Sequence, residues 1–110
     1  MLFRSIVDVA VAGVTIKEEG QVGRITVGIQ NRGTETANSP VLEIMVGREK
    51  RRFYLRSLVP GESVAESVTF DLLRARQEGG VSAGVVANVR GDQRSGNDVW
   101  TGYFRISKKK

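Results

Sequence analysis

Side chains that alternate between apolar and polar over most of the chain decide what this sequence can become. From Arg24 onward, Ile25, Val27 and Ile29 alternate with Thr26, Gly28 and Gln30. A period of two puts successive side chains on opposite faces of an extended strand, so one face of this segment is buried and the other is wet. The same period recurs at Leu42, Ile44 and Val46, at Phe53 and Leu55, at Val68 and Phe70, at Val81, Ala83, Val85 and Ala87, and at Trp100, Gly102, Phe104 and Ile106. Ile6 to Ile16 is rich in Val and Ala and reads as one long or broken edge strand.

Turn chemistry punctuates these runs. Gly20-Gln21-Val22-Gly23 reverses the chain, and Asn31-Arg32-Gly33 ends the next strand with residues suited to left-handed backbone. Pro40 opens a strand where a missing N–H matters least. Gly47 and the charged residues around it predict a hairpin tip, and Leu58-Val59-Pro60-Gly61-Glu62 a tight turn. Asp71 to Glu78 leaves two alternatives open, a short helix capped by Asp71 or an irregular loop, with Gly79-Gly80 ending either. About seven strands over some 100 residues, without βαβ alternation, predict an all-β, immunoglobulin-like antiparallel sandwich. It spans residues 6–107 as a single domain, since 110 residues leave no room for two.

The chain holds no Cys and no His. A Ser-His or Cys-His nucleophile pair and a thiolate or imidazole metal site are therefore absent, and the acids are scattered singly. No Gly-rich loop precedes a helix to cradle phosphate. The expectation is a non-enzymatic module without cofactor or metal. Asp92, Asn97 and Asp98 offer oxygen atoms to a Ca²⁺, but the spacing is not that of an EF-hand and Arg94 sits among them, so a structural turn is the better reading. Trp100 is expected in the core and Tyr103 exposed on the opposite face. No apolar run is long enough to span a membrane. Met1-Leu2-Phe3-Arg4-Ser5 lacks the apolar region of a signal peptide and reads as a non-native or disordered start.

The net charge of +5 is concentrated. Residues 47–56 carry +4, the tail Lys108, Lys109 and Lys110 carries +3, and the other 97 residues sum to −2. A chain that coats nucleic acid would spread its cations over a face, so nucleic acid is not the expected partner. Strand alternation places Arg52, Tyr54 and Arg56 on one outward face, with Arg48, Lys50 and Arg51 at the tip. Guanidinium forks beside an aromatic ring suit sulfate, phosphate, uronate or an acidic protein surface. The same charges also keep an edge hairpin soluble and closed to strand addition. The residues 108–110 read as a solvated basic tail.

Val22-Gly23 leads into a Thr-containing alternating strand and then Asn31-Arg32-Gly33-Thr34-Glu35-Thr36-Ala37. Leu58-Val59-Pro60-Gly61-Glu62-Ser63 follows, and then Val68-Thr69-Phe70. From about Asp8 to Ile106 the chain resembles the CARDB family, cell-adhesion-related domains of bacterial and archaeal surface proteins, in which an Asn-x-Gly-Thr turn and a Leu-x-Pro-Gly-Glu turn sit at these places. Gly96-Asn97-Asp98 matches only part of the family's acidic, Asn-rich stretch; Arg90, Arg94 and Ser95 depart from it. The resemblance implies a seven-stranded immunoglobulin-like fold and an extracellular or cell-surface location. It also implies neighbouring domains in a longer chain and no catalytic residues; a protein or an anionic glycan met by the basic hairpin is the expected partner. The expected role is adhesion, display or spacing. Two alternatives remain: an envelope or intracellular assembly subunit joined through sheet edges, and an anion-binding module using the hairpin 48–56.

Overall fold

Seven strands and one helix account for most of residues 7–89 and 99–107, the part of the chain that the computed structural model describes. The strands are β1 (Val9–Glu19), β2 (Val22–Asn31), β3 (Val41–Val46), β4 (Glu49–Tyr54), β5 (Ser63–Asp71), β6 (Gly80–Asn88) and β7 (Val99–Arg105), and α1 (Leu72–Glu78) joins β5 to β6. They form two antiparallel sheets, β1-β2-β5 and β4-β3-β6-β7. The chain crosses between sheets after β2, after β4 and through α1. Its apolar faces meet as an immunoglobulin-like sandwich.

The alternation predicted from sequence is what the packing uses. Ile25, Val27 and Ile29 of β2 are fully buried against Leu42, Ile44 and Val46 of β3 and Val85 of β6, and Val68 and Phe70 of β5 close the core. Each apolar side chain on these rows removes area from water worth about 1.5–3 kcal/mol. β1 runs past Ile16 to Glu19, and its register against β2 slips between Val11 and Gly13. Val22 belongs to β2, so the first turn is only Gly20 and Gln21.

The ambiguous segment is a helix. Asp71 caps it by accepting from the Arg74 N–H at 3.1 Å. Leu72 and Ala75, three residues apart, turn one face into the core. Gly79 ends it at φ 80°, a left-handed conformation that a side chain would strain.

Strand direction gives the molecule its polarity. β1 starts opposite Asn31 and rises to Glu19 opposite Val22, which also pairs with Asp71 at the end of β5. β7 rises from Val99 to Arg105, opposite Gly80 just after the helix. The chain therefore enters at the end that holds Asn31 and Gly61, and leaves at the end that holds α1 and the Gly47 turn. The whole measures 59 × 21 × 18 Å, a rod with its long axis far exceeding the others.

The entry end is knotted around Asn31, which is fully buried. Its amide donates to the carbonyls of Glu35 and Leu58, both at 2.8 Å, and its Oδ1 accepts from the Gly33 N–H at 2.9 Å. Its backbone N–H donates to Glu62 O at 3.0 Å and its carbonyl accepts from the Gly61 N–H at 2.8 Å. Glu62 in turn accepts from the Val59 N–H at 3.1 Å and pairs with Arg56 at 2.7 Å. The Arg56 guanidinium and then the Val59 N–H hold the Glu62 carboxyl below its ordinary value.

Two outcomes follow at this end. Asn31→Ala removes the amide that ties the Glu35 and Leu58 carbonyls to the end of β2, leaving Leu58 only its bond from the Ala37 N–H, and should lower unfolding free energy by about 1–3 kcal/mol in urea titrations; an unchanged midpoint would contradict the buried network. Because the folded-state pKa of Glu62 is depressed, the stability it adds is present above the unfolded value and is lost as pH falls through the folded one. Arg56→Gln should thus melt slightly below wild type at neutral pH, and the gap should close on acidification below the ordinary glutamate value of 4.5.

Candidate functional site

β3 and β4 form the hairpin that carries most of the clustered charge. Gly47 adopts φ 59° and Arg48 completes the turn between the two strands. The ladder pairs Val46 with Glu49, Met45 with Lys50, Ile44 with Arg51, Glu43 with Arg52, Leu42 with Phe53 and Val41 with Tyr54. Directly opposed residues share a face. Lys50, Arg52 and Tyr54 therefore stand on the outer face of the four-stranded sheet beside Met45, Glu43 and Val41. Arg51 and Glu49 fall in the inward phase of an edge strand, opposite buried Ile44 and Val46, yet remain exposed.

This arrangement divides the residues that the sequence grouped together. Arg52 donates to Glu43 at 3.1 Å, and Lys50 lies 3.7 Å from the same carboxylate. The neighbouring Tyr54 and then Glu43 raise the Arg52 pKa further above its usual value. Tyr54 is 76% exposed. Arg56 lies beyond the end of β4, one residue after buried Leu55, whose N–H still bonds the Pro40 carbonyl, and its guanidinium is taken up by Glu62 in the Pro-Gly turn. Lys50 and Arg51 are strand residues, and only Arg48 occupies the tip. Among the described residues, Arg48 and Arg51 are the hairpin cations that no carboxylate takes up.

A cavity that no single segment announces lies at the exit end. About 280 Å³ opens between the Gly47 turn, α1 and the start of β6, with Phe70, Ala75 and Val81 toward its base and Arg48, Arg74 and Tyr103 around it. Its rim carries both signs, because Glu49, Asp71 and Glu78 are there too. Asp71 is spent on the helix cap and Glu78 on Arg74, 3.4 Å away. The hydrophobic pattern gives no hint of this hollow, since the Gly47 turn, β5, α1, β6 and β7 all converge on it.

Trp100 is less interior than expected. It is half-buried at the margin of the core, with its ring 5.9 Å from that of Phe104 and tilted by 33°. Tyr103 is 60% exposed on the opposite face. Met1 to Ser5, the oxygen-bearing Asp92, Asn97 and Asp98, and Lys108 to Lys110 lie outside the described residues. Among the described residues no group of three or more acidic side chains could hold a metal ion, and no helix is long and apolar enough to cross a membrane.

No protein-family model matches the sequence, and no curated protein matches it closely enough to count. The fold does find relatives. A solution structure of a CARDB domain from Pyrococcus furiosus superposes with a TM-score of 0.72 over 96% of this chain and 100% of that one, at 16% identity. A crystal structure of the same CARDB domain, in complex with di-metal ions, gives 0.72 over 96% of this chain and 98% of that one, at 13% identity. β-Glucosidase 3B from Thermotoga neapolitana contains a similar unit, with a TM-score of 0.53 over 92% of this chain, which spans only 16% of that enzyme at 13% identity. Two sheets of three and four antiparallel strands, matched end to end by the Pyrococcus structures, give this chain the immunoglobulin-like sandwich fold of a CARDB domain.

Proposed function

We propose that the chain is a non-catalytic spacer and display module of an exported or cell-surface protein, set beside other domains. The observation that carries this reading is the placement of the two ends of the fold. β1 begins at one end of a 59 Å rod and β7 finishes at the other, so successive modules joined through them add length. The likeness to a CARDB domain supports such a role, and the β-glucosidase match supports occurrence of this fold as one unit in a longer chain. The mechanism is mechanical: a packed core without mobile joints between its layers holds whatever sits at either end at a set separation.

Recognition of an anionic glycan or an acidic protein by the hairpin is a second reading. It rests on Arg48 and Arg51, whose guanidinium groups have no carboxylate partner among the described residues. Arg52 and Lys50 are already half neutralised by Glu43.

Two copies joined in tandem, studied by small-angle X-ray scattering, should show a maximum dimension close to twice that of one copy. A value near that of a single copy would mean that the modules fold back on each other and would reject the spacer. For the second reading, Arg48→Ala/Arg51→Ala should elute from heparin at lower salt than wild type, and by a larger margin than Arg52→Ala/Arg56→Ala. Wild-type protein that flows through at low ionic strength would end it.

A further inference from the structure

The four strand edges of the sandwich are not alike. β4 and β5 border one seam, and there the inward-phase positions carry charge: Glu49 and Arg51 on β4, and Glu66 on β5 opposite fully buried Val27. A strand docking on that side would have to desolvate these groups, a device that keeps edges single. β1 and β7 border the other seam. The inward phase there is Val9, Val11, Val14 and Ile16 on β1, and Trp100, Gly102 and Phe104 on β7. On β7 no charge stands in this phase, and on β1 only Glu18 does, paired with Arg76 at 2.6 Å. β1 is nonetheless bent by the register slip between Val11 and Gly13, whereas β7 runs in unbroken register against β6 for seven residues. Among the described residues, nothing pairs with the outer side of β7.

We propose that β7 pairs antiparallel with β7 of a second copy of this chain, with Gly102 facing Gly102 on the two-fold axis. The strand reads Val99-Trp100-Thr101-Gly102-Tyr103-Phe104-Arg105, and centring on Gly102 makes it self-complementary. Trp100 then meets Phe104 of the copy twice on the inward face, a cross-strand aromatic pairing. Thr101 meets Tyr103 on the outward face, and the Arg105 stem lies along Val99. No like charges are opposed. The aromatic surface is already laid out for this: Trp100 lies across Gly102, where an added Cβ would fall 2.5 Å from its ring, and stacks toward Phe104. Val99 is 54% exposed in the single copy.

The pairing joins two four-stranded sheets into one of eight. Because the strands run oppositely, the two rods lie side by side with their entry ends pointing opposite ways. Such a geometry joins chains that approach from opposite directions, not neighbours rooted on one surface. It goes beyond the spacer reading, which concerns the ends of the rod and not its flank.

The register itself can be tested because the chain has no cysteine. Thr101→Cys and Tyr103→Cys chains, mixed and mildly oxidised, should yield far more covalent dimer than either variant alone, since opposed Cα atoms in such a ladder lie within disulfide reach. Sedimentation velocity should show wild-type dimer growing with concentration. Thr101→Lys/Tyr103→Lys, which sets lysine against lysine twice, should dimerise about tenfold more weakly or worse. Tyr54→Lys, on the far edge, should leave the equilibrium untouched. Wild type that stays monomeric at millimolar concentration, or a mixture that cross-links no better than the single variants, overturns the proposal. Neither result bears on the length of the tandem spacer.

Discussion

One buried amide holds the entry end of this molecule together. Asn31 closes β2, and from there it satisfies carbonyls and N–H groups in the loop that follows it and in the turn that launches β5. A polar residue with no exposure survives in the core because every one of its side-chain groups is occupied. The consequence is positional. β2 and β5 are neighbours in one sheet, but the chain between them visits the other sheet, and Asn31 is where that excursion is tied back.

Around that tie the structure follows from simple economy of faces. Each strand buries one row of side chains, and two sheets are needed so that the rows have something to meet. The charged residues are then left to the outer faces, the edges and the ends. Glu43 illustrates the effect: it stands on the outer face of a strand whose inward row is fully buried, and draws Arg52 and Lys50 toward it. The charge cluster visible at residues 48–56 therefore becomes a set of local pairs with two arginines left over, not a uniform basic face.

Much of this was legible beforehand, for reasons that can be named. The inward rows of β2, β3, β5 and β6 follow from the period-two pattern, and the Asn-x-Gly and Pro-Gly turns from the backbone conformations those residues favour. The helix at Leu72 was an open choice because its seven residues are too few for a periodic stripe. Burial of Leu72 and Ala75 decided it. The alternation continues past β4, since Leu55 is buried and still bonds Pro40, but only the fold shows that Glu62 takes up Arg56. Trp100 was placed too deep because its strand lies at the edge of the sheet, and periodicity reports which face a residue occupies but not how near the seam it stands.

The linear chain alone determined the kind of molecule. Alternating apolar residues can be sheltered only in layered sheets, and a chain without cysteine or histidine lacks the groups for thiolate or imidazole chemistry. Tertiary structure decided everything that depends on residues distant in sequence: which carboxylate each arginine meets, the cavity between the Gly47 turn and α1, and which strands become edges. The physical reason is that facing is local while neighbourhood is not. A strand's own sequence specifies which side chains point inward, but what they and their charged companions meet is set by the order in which strands are laid together.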